Sequence, residues 1–158
     1  MNEITLVNKE GEVLYSNIQE YRKLLDTQPN KNWVKTNKYS QNAKYLPIRV
    51  VEQLLSKMFP FWQVEQHGEP KILGNSIVIS VHLKVYHPLI KDWLTYAGVG
   101  AVPIEVQKDA SPIEFDKINA KALHKNVPSA MSFAVSNASK KIGRLFGSHL
   151  NNDLNEII

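Results

Sequence analysis

Ser76-Ile77-Val78-Ile79-Ser80-Val81-His82-Leu83-Lys84-Val85-Tyr86-His87-Pro88 reads as one long β-strand, because Ile77, Ile79, Val81, Leu83 and Val85 recur at every second position. The other face is mostly polar, carrying Ser80, His82, Lys84 and Tyr86. Residues 61–67, opened by Phe61 and Trp62, give a shorter strand before it, and residues 90–99, through Trp93, Leu94, Thr95 and Tyr96, give a third after it. Gly98-Val99-Gly100 marks a bend or a close backbone approach. The three strands are expected to form an antiparallel meander.

On the N-terminal side, Pro47 suits the first turn of a helix in which Val50, Val51, Leu54, Leu55 and Met58 fall on one face, and Pro60 ends it. Arg49, Glu52, Gln53 and Ser56 fall on the opposite face. After the strands comes a loop with Pro103 and Pro112, then a helical stretch over residues 113–124. A final helix starts at Pro128, with Met131, Ala134, Val135, Ala138, Ile142, Leu145 and Phe146 as its apolar stripe. Continued to Phe146, that helix carries Asn137, Lys140, Lys141 and Arg144 within an arc of about 100° away from the stripe. Like charges so grouped cost a few tenths of a kcal/mol per pair, which phosphates would relieve.

The N-terminal part divides in three. Residues 4–7 and 12–15 around Lys9-Glu10-Gly11 suggest a short hairpin. Ser16 is placed to cap a helix through Ile18, Tyr21, Leu24 and Leu25 that ends before Pro29. Residues 28–44 hold Lys, Asn and Gln around Trp33 and Tyr39 without either period, the pattern of an arm or long loop whose ordering would wait on a partner. The expected class is therefore α+β: a three-stranded antiparallel meander packed on helices, a β-β-β-α core preceded by a helix. Residues 1–44 form an extension and basic arm, 45–150 the core domain and 151–158 a tail.

The chain has 158 residues, 43% of them hydrophobic, enough for one domain with its own core. It has no cysteine, which removes disulfides and thiolate chemistry and suits a reducing compartment. Neither a secretory leader nor an apolar run of roughly 18 residues is visible, so no membrane partner and a cytoplasmic location are expected. A net charge of +4 is modest, but the acids are segregated. No Asp or Glu occurs from Thr27 to Val51, where Lys31, Lys35, Lys38, Lys44 and Arg49 lie. None occurs from Lys117 to Asn152 either, where Lys121, Lys125, Lys140, Lys141 and Arg144 follow. Two stretches can thus present a positive surface on a nearly balanced chain.

Other chemistry finds little support. The five histidines, His67, His82, His87, His124 and His149, show no metal-ligand spacing on a common element. Glu114 with Asp116, or Glu65 with Asp92, could hold a magnesium ion as a nuclease does, yet no motif joins them. No phosphate loop of the Gly-x-x-x-x-Gly-Lys-Ser/Thr kind is present. Neither a cofactor nor a metal is expected. Trp62 and Trp93 suit core or interface packing. Trp33 and Tyr39 could stack on bases, or anchor the arm to its own domain or to a neighbouring subunit.

The segment Ala134-Val-Ser-Asn-Ala-Ser-Lys140-Lys141-Ile-Gly-Arg144-Leu-Phe-Gly147 resembles the signature helix of the Rad fifty-two family of single-strand annealing proteins, with its small-residue start, adjacent basic residues and terminal Phe-Gly. Ile48-Arg49-Val50-Val51-Glu-Gln-Leu-Leu-Ser-Lys-Met58-Phe59, followed by an aromatic-led strand, is similar to that family's earlier helix. The order of elements agrees over roughly residues 45–150, and the Sak-type phage recombinases are similar in size. No counterpart of the eukaryotic members' long C-terminal partner-binding region is found. The resemblance implies that Arg49, Lys140, Lys141 and Arg144 line a strand-binding groove and that Lys121 belongs to a second, outer site. It also implies a homo-oligomeric ring or arc, recombination and repair as the setting, and a phage exonuclease or a host single-strand-binding protein as further partners. Lys44, Lys84 and Lys125 complete the expected DNA-binding set.

Such a protein is not an enzyme. It clamps the backbone through Lys and Arg, leaves Watson–Crick edges available, and lets duplex formation supply the driving force without ATP. The alternatives are a double-stranded-RNA-binding type of module, since three strands followed by a basic helix also describe that fold, and a metal-dependent nuclease.

Overall fold

The computed structural model describes residues 18–38, 41–111 and 113–152. The hairpin expected within residues 4–15, the capping Ser16, Tyr39 and the tail from residue 153 lie outside the described residues. In chain order the elements are α1 (Ile18–Leu25), β1 (Lys35–Asn37), β2 (Ala43–Tyr45), α2 (Ile48–Met58), β3 (Trp62–Gln66), β4 (Lys71–Leu73), β5 (Ser76–His87), β6 (Asp92–Pro103) and α3 (Ala122–Ser139). Short 3₁₀ turns form at Lys31–Trp33, Phe115–Lys117 and Arg144–Phe146. The architecture is mixed α+β with antiparallel sheets.

The alternating stretch is the centre of the main sheet. β6 pairs with β5 along its whole length, from Ser76↔Pro103 to His87↔Asp92. The opposite edge of β5 is shared: β3 pairs with it from Trp62↔Val85 to Gln66↔Val81, and β4 from Lys71↔Val78 to Leu73↔Ser76. The sheet therefore has four strands, not the three of a simple meander. β4 escapes a search for alternation because its three residues are all exposed, so neither face selects apolar side chains.

Ile77, Ile79, Val81, Leu83 and Val85 are all buried, as their spacing requires. α3 lies against this face, and two glycines set how closely. A Cβ on Gly98 would run into the backbone of Ala134 and Ala138, and one on Gly100 into that of Ala130 and Ala134. Those three alanines are completely buried at intervals of four, so a stripe of small residues lets helix and strand touch backbone to backbone. The close approach expected at Gly98-Val99-Gly100 is thus realised, within a continuous strand.

α2 buries Val51, Leu54, Leu55 and Met58 and leaves Arg49 exposed. Tyr21 of α1 is fully buried, donates a hydrogen bond of 2.7 Å from its Oη to the Met58 carbonyl, and has its phenol pKa pushed up by that burial. Its ring meets the edge of His87, 4.8 Å away between centroids. His87 Nδ1 accepts hydrogen bonds from the backbone N–H groups of Leu89 and Ile90, 3.3 and 3.2 Å away. Burial, with the Arg22 charge nearby, lowers its pKa.

Three expectations need correction. Residues 28–44 are not without structure: Trp33 packs against the core, and β1 and β2 pair from Lys35↔Tyr45 to Asn37↔Ala43. The turn between them has Gln41 and Asn42 at positive φ, 47° and 57°. Strands of three residues in a separate two-stranded sheet show little alternation, because most of their residues are exposed. α3 begins before Pro128 and runs through it. Tertiary contacts hold the added turns: Ala122 is buried, and the buried Asn126 accepts a hydrogen bond on Oδ1 from the Glu105 backbone N–H. The other end is shorter than expected. α3 stops at Ser139, Gly143 is fully extended, and a 3₁₀ turn then buries Leu145 and Phe146. Lys140, Lys141 and Arg144 therefore do not share a helical face.

Candidate nucleic-acid interface

The end of α3 sends its cations to three places. Lys140 lines a groove of about 440 Å³ between the exposed face of α3 and the start of α2. Lys141 turns back and donates from Nζ to the Ala97 carbonyl of β6 at 2.6 Å. Arg144 lines a cleft of about 740 Å³ between the β1–β2 hairpin and the segment around His149.

The cleft is where the two acid-free stretches meet. Lys31 and Lys44 come from the first, Arg144 and His149 from the second, and among the described residues no Asp or Glu lines it. Asn151 fixes the wall. Its Oδ1 accepts from the Lys44 backbone N–H at 2.7 Å and its Nδ2 donates to the Lys44 carbonyl at 2.9 Å, so the side-chain amide occupies the edge of β2 as a strand would. Arg144 is half-buried, and its Nε is buried with no hydrogen-bond partner among the described residues. Such a donor costs about 1–3 kcal/mol until an acceptor arrives.

The groove beside it has a different character. Tyr45, Ile48, Phe133 and Phe146 give it an apolar lining, with Ser136 and Lys140 on the α3 side. Neighbouring residues divide cleft from groove: Lys44 lines one and the next residue, Tyr45, the other, and Arg144 and Phe146, two positions apart, divide in the same way. β2 and the 3₁₀ turn at Arg144–Phe146 thus contribute to both depressions.

The remaining expected residues lie elsewhere. Arg49 lines a shallow depression on the outer face of α2 with Glu52, Gln53 and Lys57, while its neighbour Ile48 lines the groove. Lys84, on the outward face of the sheet, pairs with Glu65 at 2.7 Å. Lys125 pairs with Glu105 at 2.6 Å. Lys121 is exposed at the start of α3. Trp62 packs against the core, donating from Nε1 to Ser56 Oγ at 3.1 Å, whereas Trp93 is exposed and meets the edge of Tyr86 at 5.7 Å.

Sequence reasoning did not single out Lys31, His149, Tyr45, Phe133 or Asn151. The first acid-free stretch contains Lys31, but no local pattern marks Asn151 as a clamp on Lys44. Among the described residues no three of His, Asp and Glu gather around a point fit for a metal ion, and no helix is long and apolar enough to cross a membrane. No family model and no curated protein matches the sequence.

Proposed function

We propose that this chain binds single-stranded DNA by its backbone and promotes annealing to a complementary strand, as a binding protein rather than an enzyme. The observation that carries this reading is the cleft in which Lys31, Lys44 and Arg144 meet with no carboxylate among the described residues. A site for any sequence needs cations on phosphates and few groups aimed at base edges. Neutralising the backbone also lowers the repulsion felt by a second strand, so pairing itself drives the reaction and no nucleotide is hydrolysed. In this reading Lys44, Arg144 and Lys140 hold the strand along the cleft and groove, while Arg49 and Lys121 lie apart on the outer face of α2 and at the start of α3, and Lys141 is held by the Ala97 carbonyl. Assembly into a ring or arc, a place in phage recombination in a bacterial cell, and contact with an exonuclease or a host single-strand-binding protein belong to the same proposal. They rest on the resemblance to the Rad fifty-two family.

The test is fluorescence anisotropy with a labelled single strand, followed by annealing of complementary oligonucleotides without ATP. Binding that weakens as salt rises, and faster annealing than in buffer alone, are expected. Salt-indifferent binding, or shortened strands, would count against the reading.

One observation favours a second reading. The order α2, an antiparallel sheet three strands wide in which β3 and β4 share one edge of β5, then α3 with Lys121 exposed at its start also suits a double-stranded-RNA-binding type of module. Competition between single-stranded DNA and duplex RNA separates the two.

A further inference from the structure

The groove between α2 and α3 differs from the cleft in chemistry while sharing its walls. Phe133 and Tyr45 are 49% and 40% exposed, large aromatic rings left in water at the mouth of an apolar depression. The lining includes Ile48, the fully buried Phe146 and Lys140, and no carboxylate among the described residues. Among the described residues, the one side-chain amide in its lining is already engaged. Asn137 donates from Nδ2 to the Val99 carbonyl at 2.8 Å and accepts on Oδ1 from Lys140 Nζ at 3.3 Å.

A ligand matching cleft and groove together carries a string of negative charges and, within one residue of them, a flat apolar group. A single-stranded nucleic acid has that chemistry. A duplex does not, because its bases are stacked and paired within the helix. We propose that the groove seats an unpaired base of the strand whose phosphates lie in the cleft, stacked against Phe133 and Tyr45 with its phosphate on Lys140; this rests on the reading of the cleft as a single-strand site.

Selectivity follows from the division of labour. Cations alone grip single and double strands alike, since both present phosphates. The base seat contributes only while the base is unpaired. When a complement captures that base the contact is lost, so the annealed product is held by the cleft alone and leaves more readily than the single strand did. With Asn137 committed to the protein, stacking acts on whichever base arrives, and the seat tolerates any sequence.

The experiment compares the affinity of the full chain for oligothymidylate and for an abasic deoxyribose-phosphate oligomer of equal length, at one salt concentration. Stacking of one base on an aromatic ring predicts about tenfold tighter binding of oligothymidylate. Phe133→Ala is expected to erase that preference while leaving abasic affinity unchanged. Phe133→Trp, which keeps a ring at the same exposed position, is expected to retain it. Equal affinities of the wild-type protein for the two polymers, or equal weakening of both by Phe133→Ala, overturn the base seat while the backbone site stands. Binding of neither polymer overturns the single-strand reading, and the base seat falls with it. A change in oligomeric mass on Phe133→Ala, with the preference unaltered, shows that the groove seats a second copy instead and also overturns the proposal.

Discussion

Lys44 and Lys84 both lie on strands in the structure, yet their surroundings differ. Lys84 reaches across the main sheet to Glu65, and Lys125 likewise meets Glu105. In the cleft, Lys31, Lys44 and Arg144 have no carboxylate partner among the described residues. An exposed ion pair contributes little to stability, but it lowers the local positive potential that a polyanion would feel. The binding capacity of a modestly basic protein therefore depends on where its acids are absent more than on how many cations it has.

The largest test of this difference removes the unpaired cations. With each charge-assisted contact worth about 1.5 kcal/mol, Lys44→Ala together with Arg144→Ala is expected to weaken single-strand binding about a hundredfold. The slope of log affinity against log salt should also fall by about 1.4. Unchanged affinity in a variant with a normal circular-dichroism spectrum would remove the cleft from the site.

A sharper form of the comparison lies within one dipeptide. Lys140 opens on the groove while Lys141 is bound to the Ala97 carbonyl. Titration of the single variants should show about a tenfold loss for Lys140→Ala and a change within about twofold for Lys141→Ala. Equal losses would break the distinction. Smaller still, Lys84→Ala and Lys125→Ala should each leave affinity within about twofold, because a carboxylate already occupies each cation. A drop as large as that of Lys140→Ala would show that pairing does not mask them.

The comparison also has a limit set by pH. The pKa of His87 is lowered in the folded state from its ordinary 6.5, so the unfolded chain takes up a proton first as pH falls. The stability contributed by the neutral ring is complete above about 6.5, declines as pH falls from there, and is gone below the folded value. Thermal melts should record a modest drop across that window. His87→Asn, which keeps an acceptor for the Leu89 and Ile90 N–H groups without a titrating ring, should flatten it. An identical drop in the variant would assign the acid sensitivity to other groups.

Much of the frame was legible because it is repetitive. The alternation from Ile77 to Val85 is the chain's answer to a sheet with one buried face, and Val51, Leu54, Leu55 and Met58 mark α2 in the same manner. What could not be read has a common cause. The pairing of β1 with β2, the short strand β4 and the turns of α3 ahead of Pro128 all lack a local period, and the last is held by contacts such as the one from Glu105 to Asn126. The extension of α3 to Phe146 failed for the opposite reason. Its periodic stripe continues, but Gly143 lets the backbone leave the helix and bury Leu145 and Phe146 another way.

The sequence by itself determined the α+β class, the strand at the centre of the sheet, the close approach at Gly98 and Gly100, and the two acid-free stretches, since each is written in the order and type of neighbouring residues. Only the tertiary structure decided which cations meet. Residues 28–44 and 144–152 come together because Asn151 bridges to the edge of β2, and Lys140, Lys141 and Arg144 part because a helix ends five residues before the last of them. A helical wheel carries side-chain direction only as far as the helix itself continues, and where it stops is set by what the rest of the chain can bury.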